Sequence, residues 1–385
     1  AAGRPVAAAA AAFAAASFGA ARGQRRACRR RGQVLRAESA EGGSTGSIVS
    51  DEATHSSAGG SSGSGACGRL VRYLGGNVSV RALVATDLVR EACRNHDASP
   101  MVSLALGRAL LGTALLASGR DAGETLQLRI LGDGACGAII TESSAALDCR
   151  GFVGEPSADA PSVPELIGVS EEATLRVTRT HPFWKRPYTG TIQLKSGEIA
   201  EDIVQYLALS EQTPASMGLS VEWDHEAGEV KHAEGWLVTL LPDWDDSEVG
   251  VLEANINSFS RMEPTDLPRR PEAICEHLMR ELMGTFQLSA PVELKCRCSS
   301  QRLCTAVMML GKTEVLKMLR EKEVVNAKCE WCGKTVTATP DQIRAHMKSD
   351  QGAEEVATRT ATPRQLKLKE DELQEMPAEG TADWS

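Results

Sequence analysis

Leu126-Gln127-Leu128-Arg129-Ile130-Leu131-Gly132-Asp133-Gly134-Ala135-Cys136-Gly137-Ala138-Ile139-Ile140 is the stretch whose reading decides the fold. Its first six residues alternate apolar and polar, the period of a half-buried strand. The glycines that follow match GxGxxG, the dinucleotide-binding fingerprint. That fingerprint holds a pyrophosphate only where its glycines open a helix whose N-terminal N–H groups meet the phosphates. Here they lead into Ala138-Ile139-Ile140 and then Thr141-Glu142, which reads as a second strand. A tight glycine connection between antiparallel strands accounts for the segment, and the Rossmann reading fails.

Working outward, Val78, Val80, Ala82 and Val84 alternate with polar or small neighbours and predict a strand. Thr86 or Asp87 is placed to cap the helix after it, through Leu88, Val89 and Ala92. Residues 100–118 are rich in Leu and Ala, with Gly107 and Gly112 for close packing; this is a buried helix, too small-residued to cross a membrane. Strands are predicted at Leu175–Thr178, Tyr188–Leu194, Leu219–Trp223 and Gly235–Leu241. An amphipathic helix starts at Ser196 and carries Ile199, Ile203 and Leu207. Helices and strands mix without βαβ alternation, so the class is α+β, with a mixed sheet packed by helices. Aromatic residues make up 4% of the chain, so the core must be largely aliphatic.

Composition divides the chain further. Residues 1–37 hold eight arginines and no Asp or Glu, the make-up of an organelle import signal. A secretory signal is the alternative for Val6–Ser17, but the arginine block opposes it. Val34-Leu35-Arg36-Ala37 resembles a plastid processing site, so the chloroplast stroma is expected, with the mitochondrion as alternative. Residues 38–68 form a Ser/Gly linker. Residues 69–246 form the α+β core domain. Residues 247–290 carry helical periodicity (Leu252, Ile256, Ile274, Leu278, Leu282) cut by prolines, and predict a weakly specified helical linker region. Residues 291–340 form a small four-cysteine domain, and 341–385 a disordered tail.

Without the first 37 residues the chain has 34 basic against 51 acidic residues, a net of −17. Such a body repels a phosphate backbone, so nucleic acid is not expected as the main partner, and no membrane partner is expected either. No serine–histidine–acid order, HExxH or GxxxxGK[ST] occurs, and no enzymatic activity is expected.

Chemistry concentrates in Cys296-Arg297-Cys298 and Cys329-Glu330-Trp331-Cys332, two pairs thirty residues apart. That spacing lets a short domain close Cys296, Cys298, Cys329 and Cys332 around one tetrahedral Zn²⁺. Thiolates are also the form that peroxide attacks. The same four residues can therefore be a static staple or a switch, and spacing alone favours the staple. A Cys329–Cys332 disulfide closes without strain, whereas Cys296–Cys298 has a single-residue spacer and is more easily reduced. Loops that short constrain an unfolded chain very little. Leu303, Val307, Leu310, Leu316 and Leu319 offer the domain only a small apolar stripe, so loss of metal is expected to unfold it. Cys28, Cys67, Cys93, Cys136, Cys149, Cys275 and Cys304 show no pairing pattern. His96, His181, His225, His232, His277 and His346 show no ligand spacing and are expected at the surface or locally bonded. Two other readings stay open: a constitutive zinc-ribbon module for protein or RNA, with Arg297, Arg302, Lys312 and Lys317 as a basic face, and a dithiol oxidoreductase built on Cys329 and Cys332.

Several stretches taken in order resemble the 33-kilodalton heat-shock chaperonins, redox-switched holdases of bacteria and plastids. They are Ala85-Thr86-Asp87-Leu88-Val89 with Ala92; Leu126 to Gly137; Tyr188-Thr189-Gly190; Ser196 to Asp202 running to Ser210-Glu211-Gln212-Thr213-Pro214; Gly235-Trp236-Leu237-Val238; and the cysteine pairs with Leu310-Gly311-Lys312 between them. The resemblance covers about residues 70–340. It implies one zinc per chain and no chaperone activity in the reduced state. On oxidation it implies disulfides Cys296–Cys298 and Cys329–Cys332, zinc release, and loss of structure in the zinc domain and the adjacent linker. Unfolding client proteins are then bound without ATP, by a homodimer, and handed to refolding chaperones. The family motif does not include Cys304.

Overall fold

The computed structural model describes residues 67–262, 268–321 and 324–348. The expected import signal and nearly all of the Ser/Gly linker lie outside the described residues, as does the tail beyond 348.

The chain runs β1 (Cys67–Gly75), β2 (Val78–Val84), α1 (Thr86–His96), α2 (Pro100–Ala117), β3 (Thr125–Leu131), β4 (Ile139–Ser144), β5 (Asp148–Val153), α3 (Val163–Ile167), β6 (Thr174–Thr180), β7 (Tyr188–Gln193), α4 (Ile199–Ser210), β8 (Ala215–Asp224) and β9 (Glu229–Leu240). It continues as α5 (Asp246–Ser260), α6 (Pro271–Leu278), β10 (Gly284–Leu294), α7 (Ser300–Met308), α8 (Lys312–Glu321), β11 (Val325–Lys328) and β12 (Thr335–Ala338). Two compact units result. Among the described residues, the larger comprises those through Cys296 together with Glu330–Gly333; the smaller comprises those of Arg297–Cys329 and those from Lys334 on.

In the larger unit ten strands form one sheet, in the order β7-β6-β3-β4-β5-β10-β1-β2-β9-β8. Its pairings are antiparallel except β10 on β5, so the sheet is mixed and the class is α+β, as expected. Two cores sandwich it. One gathers Leu106, Leu110 and Leu115 of α2 with Leu128, Ile130, Ile203 and Leu219. The other sets Val80, Ala82, Trp236 and Val238 of the strands against Leu252, Ile256, Ile274 and Leu278 of α5 and α6. Helix α2 is long and apolar enough to cross a membrane by length and composition, yet 83% of it is buried inside the protein. Ser99 caps it by accepting the Val102 amide at 3.2 Å, and Pro100 follows, where a missing N–H costs nothing.

The decisive glycine segment joins antiparallel β3 and β4. Its amides are already used: Asp133 donates to the Gly168 carbonyl at 3.1 Å and Gly134 to that of Ile167 at 2.8 Å. A Cβ on Gly132 or Gly134 would collide with the carbonyls of Leu166–Gly168. The glycines thus permit two backbones to meet, and they cradle no phosphate.

Several local expectations need correction. Thr86 and Asp87 do not cap α1; Ala85 precedes it, and the Thr86 hydroxyl accepts the Ala233 amide at 3.1 Å instead. The helix expected from Ser196 starts at Ile199, because the Asp202 carboxylate collects the amides of Lys195, Ser196 and Gly197 and holds that turn out of the helix. The stretch 247–290 is not helical throughout. After α6 it enters β10, whose period-two set Phe286, Leu288, Ala290 and Val292 escapes a helical reading. His232 is locally bonded, as expected, 2.8 Å from Glu234; both it and His96 are buried rather than at the surface.

In the smaller unit α7, α8 and the β11–β12 hairpin surround Cys304, Val307, Val315, Leu319, Ala338 and Ile343. Leu310 of the expected apolar stripe is 59% exposed. The disordered tail expected from 341 is not borne out over its first residues: 340–348 is helical, and Ile343 is buried. A reciprocal cap starts that helix. Gln342 donates its amide to the Thr339 hydroxyl at 3.3 Å, and the Gln342 side chain accepts from the Thr339 amide at 2.9 Å.

Candidate metal centre

Cys296 and Cys298 follow the end of β10, on irregular backbone that leads to Ser299, the cap of α7; its hydroxyl accepts the Arg302 amide at 3.2 Å. The other pair sits in the turn of the β11–β12 hairpin, whose ladder ends at Lys328 opposite Thr335. Beyond it the Cys329 amide donates to the Lys334 carbonyl at 2.9 Å. Gly333 completes the turn at a φ of 68°, a left-handed conformation that glycine adopts without penalty.

The four sulfurs predicted to converge do so. The Sγ atoms of Cys296, Cys298, Cys329 and Cys332 all lie within 4.8 Å of one another. Cys296, Cys298 and Cys329 are partly buried and Cys332 is 5% exposed. Among the described residues this is the one convergent cluster of three or more Cys, His, Asp or Glu donors. Four thiolates around zinc at about 2.3 Å would stand about 3.8 Å apart, which this cluster accommodates. An all-sulfur donor set of four suits a soft or borderline tetrahedral ion and disfavours calcium or magnesium. The arrangement therefore fits a metal site.

Glu330–Gly333 group with the larger unit. There Trp331 stands edge-on to Phe152 at 5.3 Å, with the Arg150 guanidinium 4.1 Å from its ring centroid. Glu142 holds that guanidinium at 2.6 Å. An aromatic residue between two cysteines was visible in the sequence, but nothing in one dimension points to its seat on β5.

Five further cysteines are of another kind. Cys93, Cys136, Cys149, Cys275 and Cys304 are buried, and burial pushes each thiol up: Cys93 to about 11, Cys149 and Cys275 to about 12. A thiol held protonated is a poor nucleophile. Cys304 belongs to the small core beside Val307 and Val315.

Comparison with known proteins agrees with this geometry. The family model described as "Hsp33 protein" matches residues 69–339. The "33 kDa chaperonin" of Thermus thermophilus is 35% identical over 298 residues, covering 72% of this chain and 86% of that protein. The protein of the same description from Symbiobacterium thermophilum is 35% identical over 293 residues, covering 73% of this chain and 99% of its own. Among solved structures, the 33 kDa chaperonin (heat shock protein 33 homolog) of Thermotoga maritima superposes with a TM-score of 0.63 at 27% identity, covering 74% of this chain and 99% of that one.

Proposed function

The chain belongs to the Hsp33 family of chaperones, and on that premise we propose that it is an ATP-independent holdase switched on by oxidation of Cys296, Cys298, Cys329 and Cys332. The observation that carries this reading is the convergence of those four sulfurs, with no other donor in the cluster among the described residues. Zn²⁺, one per chain in the reduced state, would keep all four as thiolates side by side. As thiolates they are also the groups that peroxide oxidises first. Cys296 pairs with Cys298 and Cys329 with Cys332; each pair gives up two electrons as its S–S bond forms, and one hydrogen peroxide, taking up two protons, becomes two waters. Disulfides between near neighbours leave the chain free, so the smaller unit, with its six buried apolar residues, is left without the metal's share of its folding energy.

The larger unit supplies the client surface in this reading. Helices α5 and α6 cover the face of β1, β2 and β9 with Val249, Leu252, Ile256, Phe259, Ile274 and Leu278. Displacing these two short helices would uncover Val78, Val80, Trp236 and Val238 together with their own apolar faces, an adhesive area for partly unfolded proteins. Homodimerisation of the oxidised form and transfer of clients to refolding chaperones complete the proposal by family resemblance. Placement in the chloroplast stroma, with the mitochondrion as alternative, rests on the composition of residues 1–37 alone; the relatives compared are bacterial.

The test is a peroxide titration of the reduced protein at mild heat, reading zinc with a chromogenic chelator and client aggregation by light scattering. Release of about one zinc per chain with a simultaneous gain of aggregation suppression, both reversed by dithiol, is expected. Zinc retained and scattering unchanged would return the four cysteines to a static staple.

A further inference from the structure

Strands β1 and β2 set Arg72 directly opposite Arg81. Like charges in that cross-strand position repel. Both side chains are partly buried. Burial first, then Arg72 and Arg120, hold the Arg81 guanidinium down at about 10, and the one carboxylate acting on it in the opposite sense is Glu211. Glu211 is already engaged. Arg120 donates to both its oxygens, at 2.6 and 2.7 Å, and the Tyr206 hydroxyl donates at 3.2 Å.

The three arginines meet where α2 ends, where Glu211 caps the end of α4, and where β1 and β2 pair. Arg72 and Arg81 make no ion pair or hydrogen bond among the described residues, and the Nε atoms of Arg72, Arg81 and Arg120 are buried without a partner. The Arg81 fork lies against Gly119, where a Cβ would come within 2.5 Å of its Nη2. Space at residue 119 has been left for that guanidinium. Three cations stand against one carboxylate, and the C-terminal end of α2 offers about half a negative charge more. The cluster is short of an anion.

We propose that Arg72, Arg81 and Arg120 form a binding site for a phosphate dianion, free or as a monoester. Guanidinium forks present paired, planar donors that match phosphate oxygens. The excess is about one and a half charges or less, which a phosphate group carrying about −1.5 to −2 near neutral pH offsets, and its several oxygens can accept from more than one guanidinium fork at once. A ligand that binds the folded state alone raises its stability in proportion to the logarithm of its concentration. The site lies within the larger unit and does not depend on the cysteine chemistry.

The experiment is thermal unfolding of the full-length reduced protein in rising inorganic phosphate, with chloride keeping ionic strength constant and phenyl phosphate as a second arm. Phosphorus-31 line broadening gives the affinity directly. A rise in midpoint that becomes linear in the logarithm of phosphate concentration above its Kd, lost in R81Q and setting in only at tenfold or more higher phosphate in R72Q, is expected. A midpoint rise with phenyl phosphate alone would assign the site to esters, and a rise with both would show that the free ion suffices. Equal rises in wild type, R81Q and R72Q would overturn the proposal. So would an R81Q protein that is merely more stable while phosphate moves neither. Should R81Q fail to fold, R72Q decides the matter by the same comparison.

Discussion

The Cys329 amide donates to the Lys334 carbonyl at 2.9 Å, so the turn that carries Cys329 and Cys332 is closed by its own backbone. The hairpin therefore presents two sulfurs on a preformed loop, while Cys296 and Cys298 come from irregular chain between β10 and α7. Metal removal tests what that difference means. Structural zinc contributes on the order of 10 kcal/mol in small domains, more than the six-residue core of the smaller unit can replace. Stripping the reduced protein with a strong chelator, or making Cys296→Ser, is expected to abolish amide-exchange protection across 300–348 and leave that of β1, β2 and β9 intact. Retained protection in 300–348 would show a domain that folds on its apolar core alone.

Asp202 is 1% exposed, and its carboxylate accepts the amides of Lys195, Ser196 and Gly197 at 3.1, 3.2 and 2.9 Å. Asp202→Ala leaves those donors without a partner at a buried turn. A loss of about 2 to 3 kcal/mol is expected, read as a lower urea midpoint with an unchanged slope. A loss below about 0.5 kcal/mol would mean that water replaces the carboxylate.

Alkaline pH should weaken the larger unit. Burial raises Cys93 to about 11 and Cys149 and Cys275 to about 12, with Glu272 and Glu276 adding to the shift at Cys275. A thiol raised in the folded state contributes stability that is complete below its unfolded value near 8.5. That contribution fades as pH climbs toward the folded value, at about 1.4 kcal/mol per pH unit for each thiol. Urea unfolding at pH 8, 9.5 and 10.5 should show Cys149→Ala with a shallower pH slope than wild type. Parallel slopes would mean that the Cys149 thiol ionises equally in both states.

Gly134→Ala probes the segment on which the fold class turned. Its new methyl would meet the Leu166 carbonyl, and forcing the two backbones apart is expected to cost about 1 to 3 kcal/mol. Nicotinamide dinucleotide should leave the melting temperature of the wild-type protein unchanged. A ligand-induced rise would reinstate the glycine loop as a phosphate cradle.

What the chain determines by itself is whatever is written in short-range pattern. Alternation in Leu126–Leu131 and Val78–Val84 announced strands, the Leu- and Ala-rich run announced α2, and the two cysteine pairs announced a four-sulfur cluster. Each depends on neighbours a few residues apart, or on residue types with little other use. Two further elements are written in the same short-range code: Thr339-Pro340-Asp341-Gln342 is a capping box in plain sequence, and Phe286 to Val292 alternate as a strand. Other features exist only in three dimensions. The parallel placement of β10 on β5, the diversion of Thr86 to β9, and the apposition of Arg72 with Arg81 all join residues whose pairing is set by sheet order and register. Local propensity carries no information about a partner more than a hundred positions away, as Leu294 is from Cys149. Packing selects it, because only one arrangement buries both faces of the sheet while leaving its backbone groups paired.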